Sequence, residues 1–165
     1  MPPKLLAFVL PFLVVVPADQ LTKLWVEGNI AFGGELPVIE GFFWLTHVQN
    51  SGIVFGWFQG GAVVLFAALT LLAMGLIVAF YRQVSAEDRL SALALGMILG
   101  GAVGNLIDRL FRGAVVDFLR FDLHFFIYPD FNVADSAIVV GVALLLLRRN
   151  AWFEADEGRA QAAAE

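Results

Sequence analysis

AVVLFAALTLLAMGLIVAFY, residues 62–81, runs for 20 residues without a charged side chain. An α-helix needs about 20 apolar residues to cross a hydrocarbon core roughly 30 Å thick. Inside lipid every backbone N–H and C=O needs an internal partner, so a spanning segment is a helix or part of a closed barrel. The alternating pattern of barrel strands is absent, and the run reads as a transmembrane helix.

Three further runs read the same way: Leu5–Trp25, Leu90–Ile107 and Phe131–Leu147. The first contains Pro11, Pro17, Asp19 and Lys23; the last carries Asp135 as its sole charge. The 165-residue chain is 60% hydrophobic and 13% aromatic, with a mean hydropathy of +0.82, well outside the soluble range. The expected fold class is therefore an all-α membrane protein with four transmembrane helices, at about 5–25, 62–81, 90–111 and 131–149. These form one domain over residues 1–150, and the polar stretch 151–165 reads as a disordered cytoplasmic tail.

A net charge of −5 with no basic stripe excludes a nucleic-acid binder. The absence of cysteine excludes disulfides, thiolate chemistry and Cys-ligated metals. His47 and His124 lie far apart and fit no zinc motif, so neither metal nor cofactor is expected.

Lys and Arg placement gives an orientation. Lys4, Arg82, Arg89, Arg148, Arg149 and Arg159 mark one set of helix ends, whereas residues 26–61 hold no Lys or Arg. Both termini and the 82–89 loop are thus expected in the cytoplasm, with 26–61 and 108–132 outside. Arg109, Arg112 and Arg120 go against the rule, but they lie among acids. FFWLTHVQ (42–49) reads as a strand or interfacial element, and Phe42, Phe43, Trp44, Phe55, Trp57 and Phe58 suit an aromatic belt. Lys4, the apolar run and VPA before Asp19 also resemble a cleavable signal peptide, which would leave three spans.

This topology gathers acids. Asp19 lies near the outer end of the first helix, Asp108 ends the third, Asp117 follows, and Asp135 opens the fourth. The short connection between helices three and four makes them antiparallel neighbours, so Asp117 and Asp135 can meet. Acids at membrane depth point to function. Structural roles compete: Asp19 and Lys23 are an i,i+4 pair, and Asp108 adjoins Arg109 and precedes Arg112 by one turn. Asp117 and Asp135 sit in apolar sequence, although Asp135 also suits a helix N-terminus. Gly96, Gly100 and Gly104 repeat every four residues, the small-residue spacing that lets helices approach closely. Asn105 shares a helix face with Asp108, while Asn50 and Asn132 add amides that are equally at home in turns or caps.

DQLTK (19–23), NSGIVFG (50–56), GGAVGNLIDR (100–109), VVDF (115–118) and FNVADSAI (131–138) together resemble the lipoprotein signal peptidase, or signal peptidase II, family. The resemblance implies an inner-membrane aspartyl endopeptidase with four helices and a small extracytoplasmic β-cradle and lid between helices one and two. Its substrate is a diacylglyceryl-modified prolipoprotein, cut N-terminal to the lipidated lipobox cysteine. On the matching positions Asp117 and Asp135 form the catalytic dyad. Asn50, Gly52, Gly104, Asn105, Asp108, Arg109, Asn132 and Ala134 line or brace the site, and Asp19 and Lys23 hold the first helix against it. Membrane lipids are the other implied partners, and the protein is expected to act as a monomer. Ile53–Val54 and Tyr128–Pro129 depart from the family's usual small residues and Trp-Pro.

Two adjacent carboxylates share a proton, so one serves as base and the other as acid. A proton-coupled transporter is the main alternative, but it would spread its acids through the bilayer depth. A structural assembly factor would explain the glycines and leave two isolated acids without a role.

Overall fold

The computed structural model describes residues 1–51 and 61–162. Four helices, α1 (Pro3–Asn29), α2 (Gly61–Gln83), α3 (Arg89–Phe111) and α4 (Val133–Ala162), carry most of the chain. Strands β1 (Glu35–Ile39) and β2 (Phe43–Asn50) follow α1, and β3 (Val115–Phe121) joins α3 to α4. Among the described residues, three helices are long and apolar enough to cross a membrane: α1, residues 64–83 of α2, and α3.

α3 is the central helix, packed by α1, α2 and α4. Its glycines make this possible. A Cβ on Gly96 would collide with the backbone carbonyl of Phe8 in α1. A Cβ on Gly104 would lie 2.6 Å from a carboxylate oxygen of Asp19. Side chains at these positions would force α1 away from α3, so the small-residue stripe sets the spacing of the bundle.

One end of the bundle collects basic groups. The Lys4 ammonium donates to the carbonyl of Val84 and lies 4.5 Å from the centre of the Tyr81 ring. Asp88 caps α3, accepting from the backbone N–H and hydroxyl of Ser91, and pairs with Arg148 at 3.4 Å. Burial pushes the Asp88 carboxyl up, but the Ser91 bonds and Arg148 outweigh it and hold the group below its usual range.

The opposite end carries the sheet, in the order β1–β2–β3 and antiparallel throughout. The sequence expectation puts the β-structure between the first two helices. The sheet takes its third strand from beyond α3 instead. VVDFLRF begins with two β-branched residues, and its first four positions are buried. Val116 and Phe118 pack with Val26 and Ile30 at the end of α1. Successive strand residues face opposite ways, so Asp117 points to the other side of the sheet. Phe43 and Trp44 open β2 and Phe42 lies in the turn before it, whereas Phe55, Trp57, Phe58 and the expected lid lie outside the described residues. α4 continues to Ala162, past the start of the tail that composition alone reads as disordered. The Ala, Glu, Gln and Arg of that stretch are strong helix formers.

Candidate active site

Asp117 is positioned by register. In the β2–β3 pair Val48 opposes Asp117 and Asn50 opposes Val115, so Asn50 and Asp117 are diagonal neighbours on one face. The Asn50 amide donates to Asp117 Oδ2 at 3.0 Å. Asp135 is positioned by a helix start. Asn132 Oδ1 accepts from the Asp135 N–H at 2.9 Å, and Asp135 Oδ2 accepts from the Asn132 N–H at 3.2 Å. This reciprocal pair is a capping box, with Asp in place of the usual Glu or Gln.

Asn132 joins the two acids. Phe131 is tied to β3 by backbone bonds, its carbonyl accepting from Phe118 and Leu119 and its N–H donating to Leu119. The next residue is thereby set beside Asp117, and the fully buried Asn132 amide donates to Asp117 Oδ1 at 2.7 Å. One residue thus donates to both carboxylates, through its side chain to Asp117 and through its backbone to Asp135. Asn105 closes the arrangement from α3, donating to Asp135 Oδ1 at 2.8 Å and accepting from Asn132 at 3.2 Å.

Behind this lies a buried ionic layer. Lys23 Nζ contacts Asp19 at 2.8 Å, Asp108 at 2.7 Å and Asn105 Oδ1 at 3.1 Å, so its three donors each have an acceptor. Asp19 also accepts from the Ala134 N–H at 2.9 Å, fixing the first turn of α4 against α1. Asp108 accepts from the Val116 N–H at 3.1 Å, fixing β3 in turn. Ala134 is fully buried against the gap left by Gly104. Lys23 also dictates the orientation of Asn105: its oxygen must face the ammonium, which turns its NH₂ toward Asp135.

Burial pushes the Asp117 carboxyl up to about 6; the Asn50 and Asn132 bonds oppose this, and the charge of Asp135 adds to it. Asp117 is 3% exposed, and Asp135 is partly open.

The structure therefore draws Asp19, Lys23, Asn50, Gly104, Asn105, Asp108, Asn132, Ala134, Asp117 and Asp135 into one cluster. Gly52 lies outside the described residues. Arg109 donates to its own helix at the Asn105 carbonyl, with its guanidinium 5.7 Å from the Phe66 ring centre, and its charge acts on Asp135, Asp108 and Asp117. Asp108 makes the i,i+4 pair with Arg112 that the sequence spacing suggests, and adds Lys23 as a second partner. The parts played by Gln20 and Glu27 do not follow from the sequence pattern. Gln20 donates to Asp19 and Asp108 and accepts from Arg112, which also pairs with Glu27 at 3.0 Å. Gln20 lies inside the DQLTK motif, yet its spacing alone does not point to a residue of α3. Among the described residues no group of acids or histidines is arranged to hold a metal.

Residues 11–150 match the profile of the family described as signal peptidase (SPase) II. The chain belongs to the signal peptidase II family. Similar family members include the lipoprotein signal peptidase of Bacillus pumilus, 43% identical over 135 residues, which are 82% of this chain and 86% of that protein. That of Symbiobacterium thermophilum is 44% identical over 135 residues, 82% of this chain and 88% of the relative. A solved bacterial membrane enzyme, determined by the in meso method at 1.9 Å, superposes with a TM-score of 0.76 at 30% identity. The match covers 85% of this chain and 90% of that one. As a signal peptidase II family member the chain is a membrane peptidase, and the question left is which groups cut.

Proposed function

We propose that this chain is an aspartyl endopeptidase that removes signal peptides from diacylglyceryl-modified prolipoproteins. It cuts on the N-terminal side of the lipidated cysteine, with Asp117 and Asp135 as the catalytic pair. The observation that carries this reading is the double donation from Asn132 to both carboxylates. Family membership and relatives named lipoprotein signal peptidases support the substrate class.

In the reaction the two carboxyls share one proton, drawn here on Asp117, and Asp135, in the first turn of α4, acts as the base. Asp135 takes a proton from water, and the hydroxide attacks the scissile carbonyl carbon while Asp117 gives its proton to the carbonyl oxygen. Collapse of the resulting diol breaks the C–N bond. Asp135 returns its proton to the leaving nitrogen, and a diol hydroxyl restores the proton on Asp117. Asn50, Asn105 and Asn132 hold the acids in place without adding charge, and Lys23 holds Asn105.

In this reading α4 is the fourth span. Both termini lie in the cytoplasm of a bacterial cell, and the sheet and acids lie at the outer leaflet of the inner membrane. The end carrying Lys4, Arg82, Arg89 and Arg148 supports that orientation. In the same reading the protein acts as a monomer. The test is cleavage of a synthetic lipidated prolipoprotein peptide by the purified protein, with the products identified by mass. Release of a fragment beginning at the lipidated cysteine is expected. Intact peptide, or a cut elsewhere, refutes the reading.

A further inference from the structure

A groove of about 420 Å³ runs from Asp135 along the outside of α4, lined by Phe121, Leu123, Tyr128, Phe131, Ser136 and the valines at 139 and 140. Asp135, Ser136, Val139 and Val140 form a single helix stripe, spaced by three and four residues. The facing wall is ordered: Phe121 stacks on Phe43 at 4.8 Å and on Phe131 at 6.0 Å, and Tyr128 meets Phe131 edge-on at 5.5 Å. A backbone bond from the Tyr128 N–H to the Phe121 carbonyl holds that wall in shape. Asp135 and Ser136 lie at one end and are engaged, Ser136 with the Asn132 carbonyl and Asp135 with Asn105 and Asn132. Beyond them the lining is aromatic and aliphatic apart from the Tyr128 hydroxyl, and it merges with the exposed valines of α4 and with the projecting aromatic segment, where Phe125 is 88% exposed.

We propose that this groove seats an acyl chain of the substrate's diacylglyceryl group, which makes Tyr128, Val139 and Val140 determinants of lipid specificity; this rests on the function proposed above. Its α4 wall is open, with Val139 63% and Val140 47% exposed. A peptide backbone there would leave N–H and C=O groups without partners, whereas an alkyl chain has none to satisfy. Its head lies at Asp135. The lipidated cysteine directly follows the scissile bond, so a chain seated here starts beside the base and runs outward into the bilayer. Continuity with the bilayer-facing wall of α4 lets the chain slide in laterally.

The experiment compares two synthetic lipopeptides of the same sequence, one with palmitoyl and one with butyryl chains on the glyceryl group. Val140→Trp fills the groove, and Val142→Trp, on the same helix away from the groove, is the control. Val140→Trp is expected to raise KM for the palmitoyl substrate roughly tenfold, the effect of losing two buried methylenes. The butyryl substrate and the Val142→Trp control should stay within about twofold of wild type. Tyr128→Ala, which opens the wall instead of filling it, should narrow the preference for palmitoyl over butyryl. Unchanged chain-length dependence in both groove variants, or equal losses on both substrates, overturns the assignment: the groove then holds bulk lipid or the peptide. If wild type cleaves neither lipopeptide, the peptidase reading itself fails, and the groove assignment falls with it.

Discussion

Replacing Lys23 with Met tests whether the ionic layer behind the acids holds the fold together. Lys23 is fully buried and touches Asp19, Asp108 and Asn105. Methionine keeps most of the length and removes the charge. Two buried carboxylates are then left side by side, with Arg112 on the far oxygen of Asp108 and the charge of Arg109 beyond it. Stranding a buried charge costs about 3–5 kcal/mol. For a chain of 165 residues each kcal/mol shifts Tm by roughly 2–4 °C, so a fall of about ten degrees is expected. Tryptophan fluorescence during heating in one fixed detergent reads it. The same substitution frees the Asn105 amide to turn, so cleavage falls as well. Asp108→Asn in the wild-type background is expected to harm folding more than chemistry, because it weakens contacts to Lys23, Arg112 and the Val116 N–H. In the Lys23→Met background it should cost less, since part of the interaction is already gone. A Lys23→Met protein that melts within a degree or so of wild type, or two substitutions whose costs simply add, would refute the reasoning.

Asp117→Asn separates stability from catalysis. The folded carboxyl titrates near 6 against an ordinary 3.8, so the folded state binds the extra proton. That contribution is complete below about pH 4 and is lost as the pH rises through 6. The Asn variant should therefore gain on wild type by up to about 3 kcal/mol between pH 4 and pH 8, measured as the difference in Tm at the two pH values. Gly96→Ala presses a methyl onto the α1 backbone and should cost about 1–3 kcal/mol, whereas Gly75→Ala, with open space around it, should stay within about 1 kcal/mol of wild type. Thermal melts of the two variants compare them directly. Arg120→Ala breaks a two-point contact to Asp130 and one to Glu35, and should lower Tm slightly, more at low salt than at high.

The three spans α1, α2 and α3 are legible in the sequence because hydrocarbon imposes a length and excludes charge, and an uncharged run such as 62–81 has few other readings. The meeting of Asp117 and Asp135 is legible because alternating spans return acids from distant segments to the same end. The third strand is not. VVDFLRF is too short and apolar to be told from helix by periodicity, and its pairing with β2 depends on a contact across some 70 residues of sequence. The Gln20 bridge and the pairing of Arg112 with Glu27 are hidden for the same reason. Both are set by how closely α1 and α3 approach, a distance fixed by Gly96 and Gly104 rather than by local charge patterns. At Asp108 local pairing is partly legible: the i,i+4 contact to Arg112 forms, whereas Arg109, its neighbour in sequence, turns its guanidinium toward Phe66 in α2.

Turnover of a lipidated prolipoprotein peptide by Asp117→Asn and Asp135→Asn, each folded and inserted like the unaltered protein, tests the shared-proton pair most directly. Both are expected to fall to the background rate, because neither carboxyl can both activate the water and protonate the carbonyl without the other. Cleavage by either variant at close to the wild-type rate would contradict a shared-proton pair.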